Sequence, residues 1–356
     1  MSRQGGTVES VQALRAVAAI VVALFHCQLA YARVGRVDMH SAETYIFGFG
    51  AVGVHVFFVI SGFIMVATNP DPQRFSPTIF YWRRLARIYP IYWICCLLAL
   101  SLHAGIGNAG LLSRQTGLAL ALYPAYSASI IGSGWTLPFE LYFYLCFGLA
   151  LVVFRRRALP VLTAFFLFCS VVGTVHHWKS DWMHILSNPL LLEFLMGAGI
   201  AKLTERGNVS LQNALGVSLI AVMLFAGGLL FGYHRLPSLL VWGIPSGLLV
   251  LGLIWTEKVR GAGLITTTLG RLGDSSYVLY LLHPVIIVTA INASVVSRVL
   301  WLGPVSGSIM IVALSVALAH IMHRKIEAPM LRWLKSQWPR RRSMPTLTAE
   351  TEPVLV

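Results

Sequence analysis

Charged residues are scarce in this chain. Asp, Glu, Lys and Arg make up 11% of its 356 residues, whereas a soluble domain holds about a quarter. Hydrophobic residues reach 57%, and the mean hydropathy is +0.74. These values exclude an ordinary soluble domain and favour a membrane protein with many crossings. The net charge of +14 would suggest nucleic acid in a soluble protein, but here it indicates basic cytoplasmic loops.

Motifs of several enzyme classes are also missing. The chain has no Gly-rich phosphate loop followed by Lys-Ser or Lys-Thr, no H-E-x-x-H and no G-x-S-x-G. Its five cysteines lie in apolar stretches without metal-ligand spacing, and they suggest no disulfide framework. We therefore expect no metal site and no permanently bound cofactor.

The chain has ten apolar runs of the length that crosses a bilayer as a helix, which takes about 20 residues. They are predicted at 11–30, 48–68, 88–106, 136–154, 158–176, 184–203, 211–232, 238–256, 275–296 and 303–323. The sequence thus predicts an all-α polytopic membrane protein, with a bundle of about ten transmembrane helices in residues 1–336. Residues 337–356 are predicted to form a basic and then disordered cytoplasmic tail.

The lysines and arginines predict how the bundle is oriented. With both termini in the cytoplasm, 21 of the 27 lie on the cytoplasmic side and six on the other, as the positive-inside rule requires. A further apolar run at 116–131 is interrupted by Pro124, and counting it as a span would move 155–157 outside. We therefore predict that this run is re-entrant or lies at the outer surface.

The first span carries two ionisable residues, Arg15 and His26. Eleven residues separate them, so a helix brings both to one face about 16 Å apart along its axis. Ionisable groups within a membrane are costly and are often functional. The alternatives are a snorkelling arginine and a hydrogen-bonded histidine inside the bundle.

Other polar residues lie at or near the ends of later spans. Arg83, Arg84 and Arg87 are clustered among aromatic residues, which fits either a phosphate site or a cytoplasmic anchor. Glu140 and Glu193 lie within apolar helices, so each is expected to be protonated or paired. Further candidates are Ser61, Trp135, Tyr277, Tyr280, His283 and Glu327; a packing face, a polar stripe and a helix-end ion pair are their structural alternatives.

These residues form six motifs that together resemble the acyltransferase 3 family of integral membrane O-acyltransferases. The matching residues are Arg15 and His26; Phe57, Phe58, Ser61, Gly62 and Phe63; Arg83, Arg84, Arg87, Tyr89 and Pro90; Trp135, Thr136 and Glu140; Ser276, Tyr277, Tyr280, His283 and Pro284; and Glu327 with Pro329. The chain departs from the family at His55, where many relatives carry an acidic residue.

The resemblance implies transfer of an acyl group, usually acetyl from acetyl-CoA, to a sugar hydroxyl of an exopolysaccharide, lipopolysaccharide or lipid-linked glycan. It implies that Arg15, Arg83, Arg84 and Arg87 bind the donor, and that His26 and Glu140 are catalytic. His26 would serve either as general base or as transient acyl carrier, with Glu140 orienting it or binding the sugar.

We expect acetyl-CoA, a glycan acceptor and membrane lipid as partners, and no nucleic acid. A multi-pass protein of the bacterial inner membrane is expected. The alternative function is a transporter or flippase of a sugar-linked lipid. Transporters often show repeat symmetry, and none is evident in this sequence; consumption of acetyl-CoA would distinguish the two functions.

Overall fold

A computed structural model of the chain describes residues 8–38, 41–104, 113–176, 178–205, 209–292 and 303–337. Most of these residues are helical, and no strand occurs among them. The α-helices are α1 Glu9–Arg33, α2 Ala42–Gly48, α3 Val52–Ala67, α4 Pro77–Ala104, α5 Arg114–Leu120, α6 Leu137–Phe154, α7 Ala158–Val175, α8 Asp181–Leu186, α9 Leu190–Glu205, α10 Leu211–Phe231, α11 Ile244–Arg260, α12 Leu264–Gly273, α13 Ser276–Asn292, α14 Pro304–Met322 and α15 Ala328–Ser336. Apart from Gln337, the predicted tail lies outside the described residues.

Shorter helical turns connect several of these helices. The 3₁₀ turns are Phe49–Ala51, Pro72–Arg74, Pro124–Tyr126, Gly132–Thr136 and Arg155–Arg157, and the π-helical turns are Leu239–Gly243 and His323–Glu327. A π-helical turn within an α-helix often marks a functional site. The turn at His323–Glu327 joins α14 to α15 and contributes to the site described below.

The number of helices able to cross a membrane agrees with the sequence prediction. Eight helical stretches are long and apolar enough, and the bent pair α12 and α13 makes nine. One stretch, Gly132–Val175, spans 44 residues, yet the rings of Tyr142 and Phe166 lie only 6.2 Å apart. The stretch therefore folds back between α6 and α7 and supplies two spans. The described residues thus contain about ten, as predicted; the side on which the termini lie stays a prediction.

Helix α4 begins earlier than the sequence analysis predicted. The predicted span was 88–106, with the arginine cluster in a preceding loop, but the helix starts at Pro77 and continues through Pro90. Pro90 interrupts one backbone hydrogen bond, a loss that membrane helices tolerate. Arg84 and Arg87 consequently lie three residues apart on one helix and share a face.

The run at 116–131 does not form a spanning helix. Helix α5 has seven residues, and three aromatic side chains of α4 hold its end by donating to backbone carbonyls. These hydrogen bonds join Tyr92 to Ala119 at 2.8 Å, Trp93 to Leu120 at 3.0 Å and Tyr89 to Ala121 at 3.3 Å. The run is thus fastened to α4, in agreement with the prediction that it does not cross.

Glycines bring the central helices into close contact. At Gly62 of α3 an added Cβ would lie 1.8 Å from the carbonyl oxygen of Phe194, and at Gly197 of α9 one would lie 1.8 Å from that of Val59. Only glycine allows such an approach, because any Cβ would overlap the carbonyl oxygen of the facing helix. Small residues at the contact are typical of membrane helices, which gain no hydrophobic burial by associating and depend on close packing instead. Helix α1 likewise meets α12 at Gly273, where an added Cβ would lie 2.1 Å from the carbonyl oxygen of Gln12.

Candidate functional site

A cavity of about 670 Å³ lies between α1, α3, α4, α6 and α13. Its volume is within the usual range of small-molecule sites. Five basic residues line it, namely Arg15, Arg83, Arg84, Arg87 and Lys335, against two carboxylates, Glu140 and Asp274. We call it the arginine cavity. Its excess of positive charge favours an anionic ligand.

Arg15 is held on the cavity wall by its own helix. Its Nη1 donates to Oε1 of Gln12 at 2.8 Å, and Nε2 of Gln12 donates to Oδ1 of Asp274 at 3.0 Å. Asp274 lies at the break between α12 and α13, where the two helices bend by 61°. The bend therefore anchors the amide that orients Arg15.

Glu140 lies on the same cavity, beside the arginines. It accepts hydrogen bonds from the hydroxyl of Tyr144 and, at 3.4 Å, from Oγ of Ser61. The guanidinium of Arg84 lies over the ring of Tyr144, with 5.6 Å between its carbon and the ring centroid. Arg84 also donates to Thr68 at 3.4 Å, while its Nε is buried and has no partner within the described residues.

Arg87 is fixed by a buried carboxylate. Its Nη1 donates to Oε1 of Glu327, whose other oxygen, Oε2, lies 2.6 Å from Nδ1 of His323. Glu327 has no exposed surface. The Arg87 guanidinium also lies 5.2 Å from the ring centroid of Tyr277, a cation–π arrangement. This network places Arg87 and His323 on the wall of the arginine cavity.

Tyr280 separates the arginine cavity from a pair of histidines. Its hydroxyl lies 3.0 Å from Oγ1 of Thr136, and its carbonyl accepts from Ser133 at 2.7 Å. On one side Tyr280 lines the cavity; on the other its ring centroid is 6.0 Å from that of His283. The cavity and the histidine pair are thus neighbours, although neither histidine lines the cavity.

His26 and His283 form the second part of the site. Nδ1 of His26 lies 3.0 Å from Nε2 of His283, and Nδ1 of His283 lies 2.9 Å from the carbonyl oxygen of Leu279. A carbonyl can only accept, so Nδ1 of His283 carries its hydrogen and Nε2 of the neutral ring accepts. Nδ1 of His26 must then donate, which leaves Nε2 of His26 with a free lone pair.

The sequence matches a known family over most of its length. Residues 8–320 match the model of the acyltransferase 3 family, described as an acyltransferase domain. The chain belongs to this family. It is therefore a multi-pass membrane O-acyltransferase.

Curated relatives carry names that agree with the family. The exopolysaccharide production protein ExoZ of Rhizobium meliloti (strain 1021) is 35% identical over 68% of this chain and 79% of its own length. The acyltransferase MdmB of Streptomyces mycarofaciens is 24% identical over 89% of this chain and 90% of its own. An O-acetyl transferase of Shigella phage Sf6 is 29% identical over 60% and 68%. No solved structure matches the chain.

Most residues that the family motifs single out come together in the structure. Those on the arginine cavity are Arg15, Phe57, Phe58, Ser61, Arg83, Arg84, Arg87, Thr136, Glu140, Tyr277 and Tyr280. Glu327 lies behind the cavity wall and binds one of the arginines. Trp135 does not line the cavity; it is 39% exposed and packs edge-on against Phe139. The structure therefore assigns Trp135 no contact with the site.

Glu140 has no direct contact with His26 within the described residues, so of its two expected roles the binding of the sugar stays open as a prediction. Glu140 contacts Tyr144 and Ser61 on the arginine cavity. The largely buried turn Gly132–Thr136 leads directly into α6 and so places Glu140 in the first turn of that helix. His283, not Glu140, contacts His26.

The departure from the family at His55 is matched by a partner on another helix. Nδ1 of His55 lies 2.6 Å from Oε1 of Glu193, and both residues are buried. The ring of His55 also lies 5.0 Å from that of Trp242. The expectation that Glu193 is either protonated or paired is met by this pair, which joins α3 to α9.

Four functional neighbours escaped the sequence analysis: Gln12, Tyr144, Asp274 and His323. Three of them lie three or four positions from a predicted site residue on the same helical stretch: Gln12 from Arg15, Tyr144 from Glu140 and His323 from Glu327. Helical spacing was therefore a signal that could have found them. Asp274 offers no such signal, because its neighbour in space is on α1.

Proposed function

We propose that the enzyme transfers an acetyl group from acetyl-CoA to a sugar hydroxyl of an exopolysaccharide, a lipopolysaccharide or a lipid-linked glycan. The observation that carries the proposal is the pair of adjoining parts: a cavity rich in arginine beside a histidine whose Nε2 has a free lone pair. The names of the relatives, among them an exopolysaccharide production protein and an O-acetyl transferase, support the acceptor class and the acetyl group.

The arginine cavity suits the nucleotide part of the donor. CoA carries several phosphates, and guanidinium groups match phosphate oxygens in charge and geometry. The buried Nε–H of Arg84 has no partner within the described residues, so an oxygen atom of a bound ligand could accept a hydrogen bond from it. Acetyl-CoA is cytoplasmic, and the distribution of Lys and Arg supports an orientation in which this end of the bundle faces the cytoplasm.

The reaction requires the thioester to reach His26. Arg15 and His26 lie on one helix, about 16 Å apart along its axis, and a pantetheine arm is long and thin. The acceptor oxygen attacks the thioester carbonyl while Nε2 of His26 takes the hydroxyl proton. The tetrahedral intermediate then expels the thiolate, which recovers that proton as free CoA. In the two-step alternative, Nε2 itself carries the acetyl group.

A substitution at His26 tests the proposal. His26→Ala should lower ester formation on the glycan by at least about 10²-fold, the usual contribution of a general base, at unchanged membrane level. His184→Ala is the matched control, because His184 is exposed and outside the site. Normal esterification by the His26 variant would overturn the catalytic assignment. If the protein were instead a flippase, neither the wild type nor the His26 variant would consume acetyl-CoA.

Two further measurements refine the chemistry. Incubation with acetyl-CoA but no acceptor, followed by mass spectrometry, should leave the protein unmodified if His26 is a general base and acetylated if it is a carrier. Replacing acetyl-CoA with longer acyl-CoA donors tests whether acetyl is the preferred group. Equal turnover of a long-chain donor would contradict the acetyl assignment while leaving acyl transfer in place.

A further inference from the structure

A second hollow lies on another side of the bundle, between α4, α13 and α14. It encloses about 730 Å³, and all but two of its lining residues are apolar. The exceptions are Thr289 and Lys325. The wall residues Leu98, Leu314 and Ile321 are 39 to 56% exposed, so the hollow is a groove open to the surroundings. A groove of this kind in a membrane protein faces hydrocarbon chains.

The groove ends at a concentration of positive charge. Lys325 closes one end and is shared with a smaller hollow of about 340 Å³, which Arg324 and His320 also line. Within the described residues, neither Arg324 nor Lys325 makes an ion pair or hydrogen bond. Nδ1 of His320 is buried and also lacks a partner there. Together these groups could bind an anionic oxygen group, such as a phosphate, at one end of the apolar groove.

The length of the groove limits the kind of lipid that fills it. Its lining on α14 and the following turn runs from Met310 to Lys325, which is about 22 Å at 1.5 Å per residue. One leaflet of hydrocarbon is about half of the 30 Å core, or about 15 Å. A chain that fills the groove from a headgroup at Lys325 therefore passes the midplane. Glycerophospholipid tails stop near that plane, whereas a polyprenyl chain continues.

We propose that this groove binds a polyprenyl phosphate, with its isoprenoid chain along α13 and α14 and its phosphate at Arg324 and Lys325. The site is separate from the arginine cavity: Lys325 does not line that cavity, although Glu327, two residues later, holds Arg87 on its wall. The proposal requires no acyl transfer. Lipid binding is measured without donor or acceptor, so its failure leaves the proposed reaction untouched.

Four lipids separate the contributions of chain and charge. The full-length protein in detergent is titrated with a long-chain polyprenyl phosphate, farnesyl phosphate, dioleoyl phosphatidate and a long-chain polyprenol, and binding is read by native mass spectrometry. The long-chain phosphate should bind at least about tenfold more tightly than each of the others, because affinity grows with every buried CH₂ and with the phosphate contact. Phosphatidate carries the same phosphate monoester, so equal binding of it would show an ordinary boundary lipid and overturn the proposal.

Matched variants locate the binding site. Leu314→Trp fills the groove, and Ile309→Trp places the same ring on an equally exposed position outside it, since the two residues are 51% and 58% exposed. Only Leu314→Trp should weaken binding of the long-chain phosphate, with acetyl-CoA binding unchanged in both as the test of folding. Equal effects of the two substitutions would mean that the lipid binds elsewhere.

The charged end is tested in the same way. The double variant Arg324→Ala/Lys325→Ala should lower the affinity for polyprenyl phosphate to that for the polyprenol, which has no charge to lose. Arg156→Ala/Arg157→Ala removes the same charge from an exposed turn away from the groove and should have no effect. A double variant at 324 and 325 that keeps the preference for phosphate over alcohol would overturn the assignment of the phosphate position.

Discussion

Arg87 and His323 bind the two oxygens of one buried carboxylate, that of Glu327. In the chain, 240 positions separate Arg87 from Glu327, and the pair connects α4 to the turn after α14. Because the carboxylate is buried, neither donor can be lost without leaving a charge or a polar group unsatisfied. The network therefore acts as a positioning device for Arg87, whose remaining N–H groups are available to a ligand of the cavity.

Removing the Glu327 carboxylate should cost stability and donor affinity together. Glu327→Ala removes the buried partner of Arg87, whose side chain is 28% exposed. The cost should therefore lie below about 3–5 kcal/mol, the usual cost of breaking a fully buried pair, and Arg87 is free to leave its position. We expect a lower midpoint of thermal unfolding in detergent and a higher acetyl-CoA requirement. Glu205→Ala is the control: it breaks an exposed pair with Lys202, worth at most about 1 kcal/mol. Similar losses in both variants would contradict the positioning role.

The histidine pair makes a separate prediction about turnover. His283→Leu removes the acceptor that fixes the Nδ1–H tautomer of His26, so turnover should fall by about 10²- to 10⁴-fold, the range seen when a catalytic imidazole loses its orienting partner. His283→Gln offers a carboxamide oxygen at a similar reach and should restore part of the rate. Acetyl-CoA affinity should be nearly unchanged in both.

A purely structural role for His283 would give a different result. Gln and Leu would then behave alike, because neither reproduces the shape of an imidazole. Nitrogen-15 NMR of labelled histidine distinguishes the tautomers directly: the wild-type His26 should show hydrogen on Nδ1 and a bare Nε2. A spectrum with hydrogen on Nε2 would contradict the hydrogen-bond order deduced from the Leu279 carbonyl.

Hydropathy and charge predicted the framework of the fold for a simple physical reason. Within hydrocarbon, each spanning helix must satisfy its own backbone hydrogen bonds, so each span appears as a continuous apolar run of about 20 residues that can be recognised from the local sequence alone. The same locality gave the stripe from Arg15 to His26. The start of α4 at Pro77 was missed because arginines at 83, 84 and 87 lower the hydropathy of a helix that is only partly in contact with lipid.

Contacts between distant helices could not be read in this way. In the sequence, 257 positions separate His26 from His283, and 240 separate Arg87 from Glu327. Helical periodicity predicts contacts only between residues a few positions apart, so it could not predict these two. The contacts of Glu140 were equally out of reach, because the turn at Gly132–Thr136 that precedes α6 follows a run that does not cross the bundle. The placement of this turn depends on packing against other helices, which a hydropathy profile does not describe.

The orientation of the bundle is open to a direct test. The charge split predicts that a reporter fused after Arg157, in the turn between α6 and α7, is cytoplasmic, and that one after Arg235, between α10 and α11, is not. Using both sites controls for fusions that fail to insert. A periplasmic signal after Arg157 would mean that the run at 116–131 crosses the membrane or that the whole bundle is inverted. A third reporter after Arg74, in the turn Pro72–Arg74 that precedes the run, tells these apart, because only inversion of the bundle would move it to the periplasm.

The last prediction concerns how the donor is held. If phosphates of acetyl-CoA contact Arg83 and Arg84 on the arginine cavity, part of the affinity is electrostatic and weakens as salt screens it. The double variant Arg83→Ala/Arg84→Ala should therefore bind acetyl-CoA more weakly at low salt and show a flatter dependence on salt than the wild type. Binding can be measured on purified protein in detergent, with no knowledge of the acceptor.

The control for this prediction must remove equal charge from another place. Arg156→Ala/Arg157→Ala does so in an exposed turn that does not line the cavity. If the attraction were only the general field of a basic membrane face, the two double variants would flatten the salt dependence alike. If the contacts are those of the cavity, only the pair at 83 and 84 should do so. A double variant at 83 and 84 with wild-type affinity across the salt series would return these arginines to the role of a topological anchor and remove the donor from this cavity.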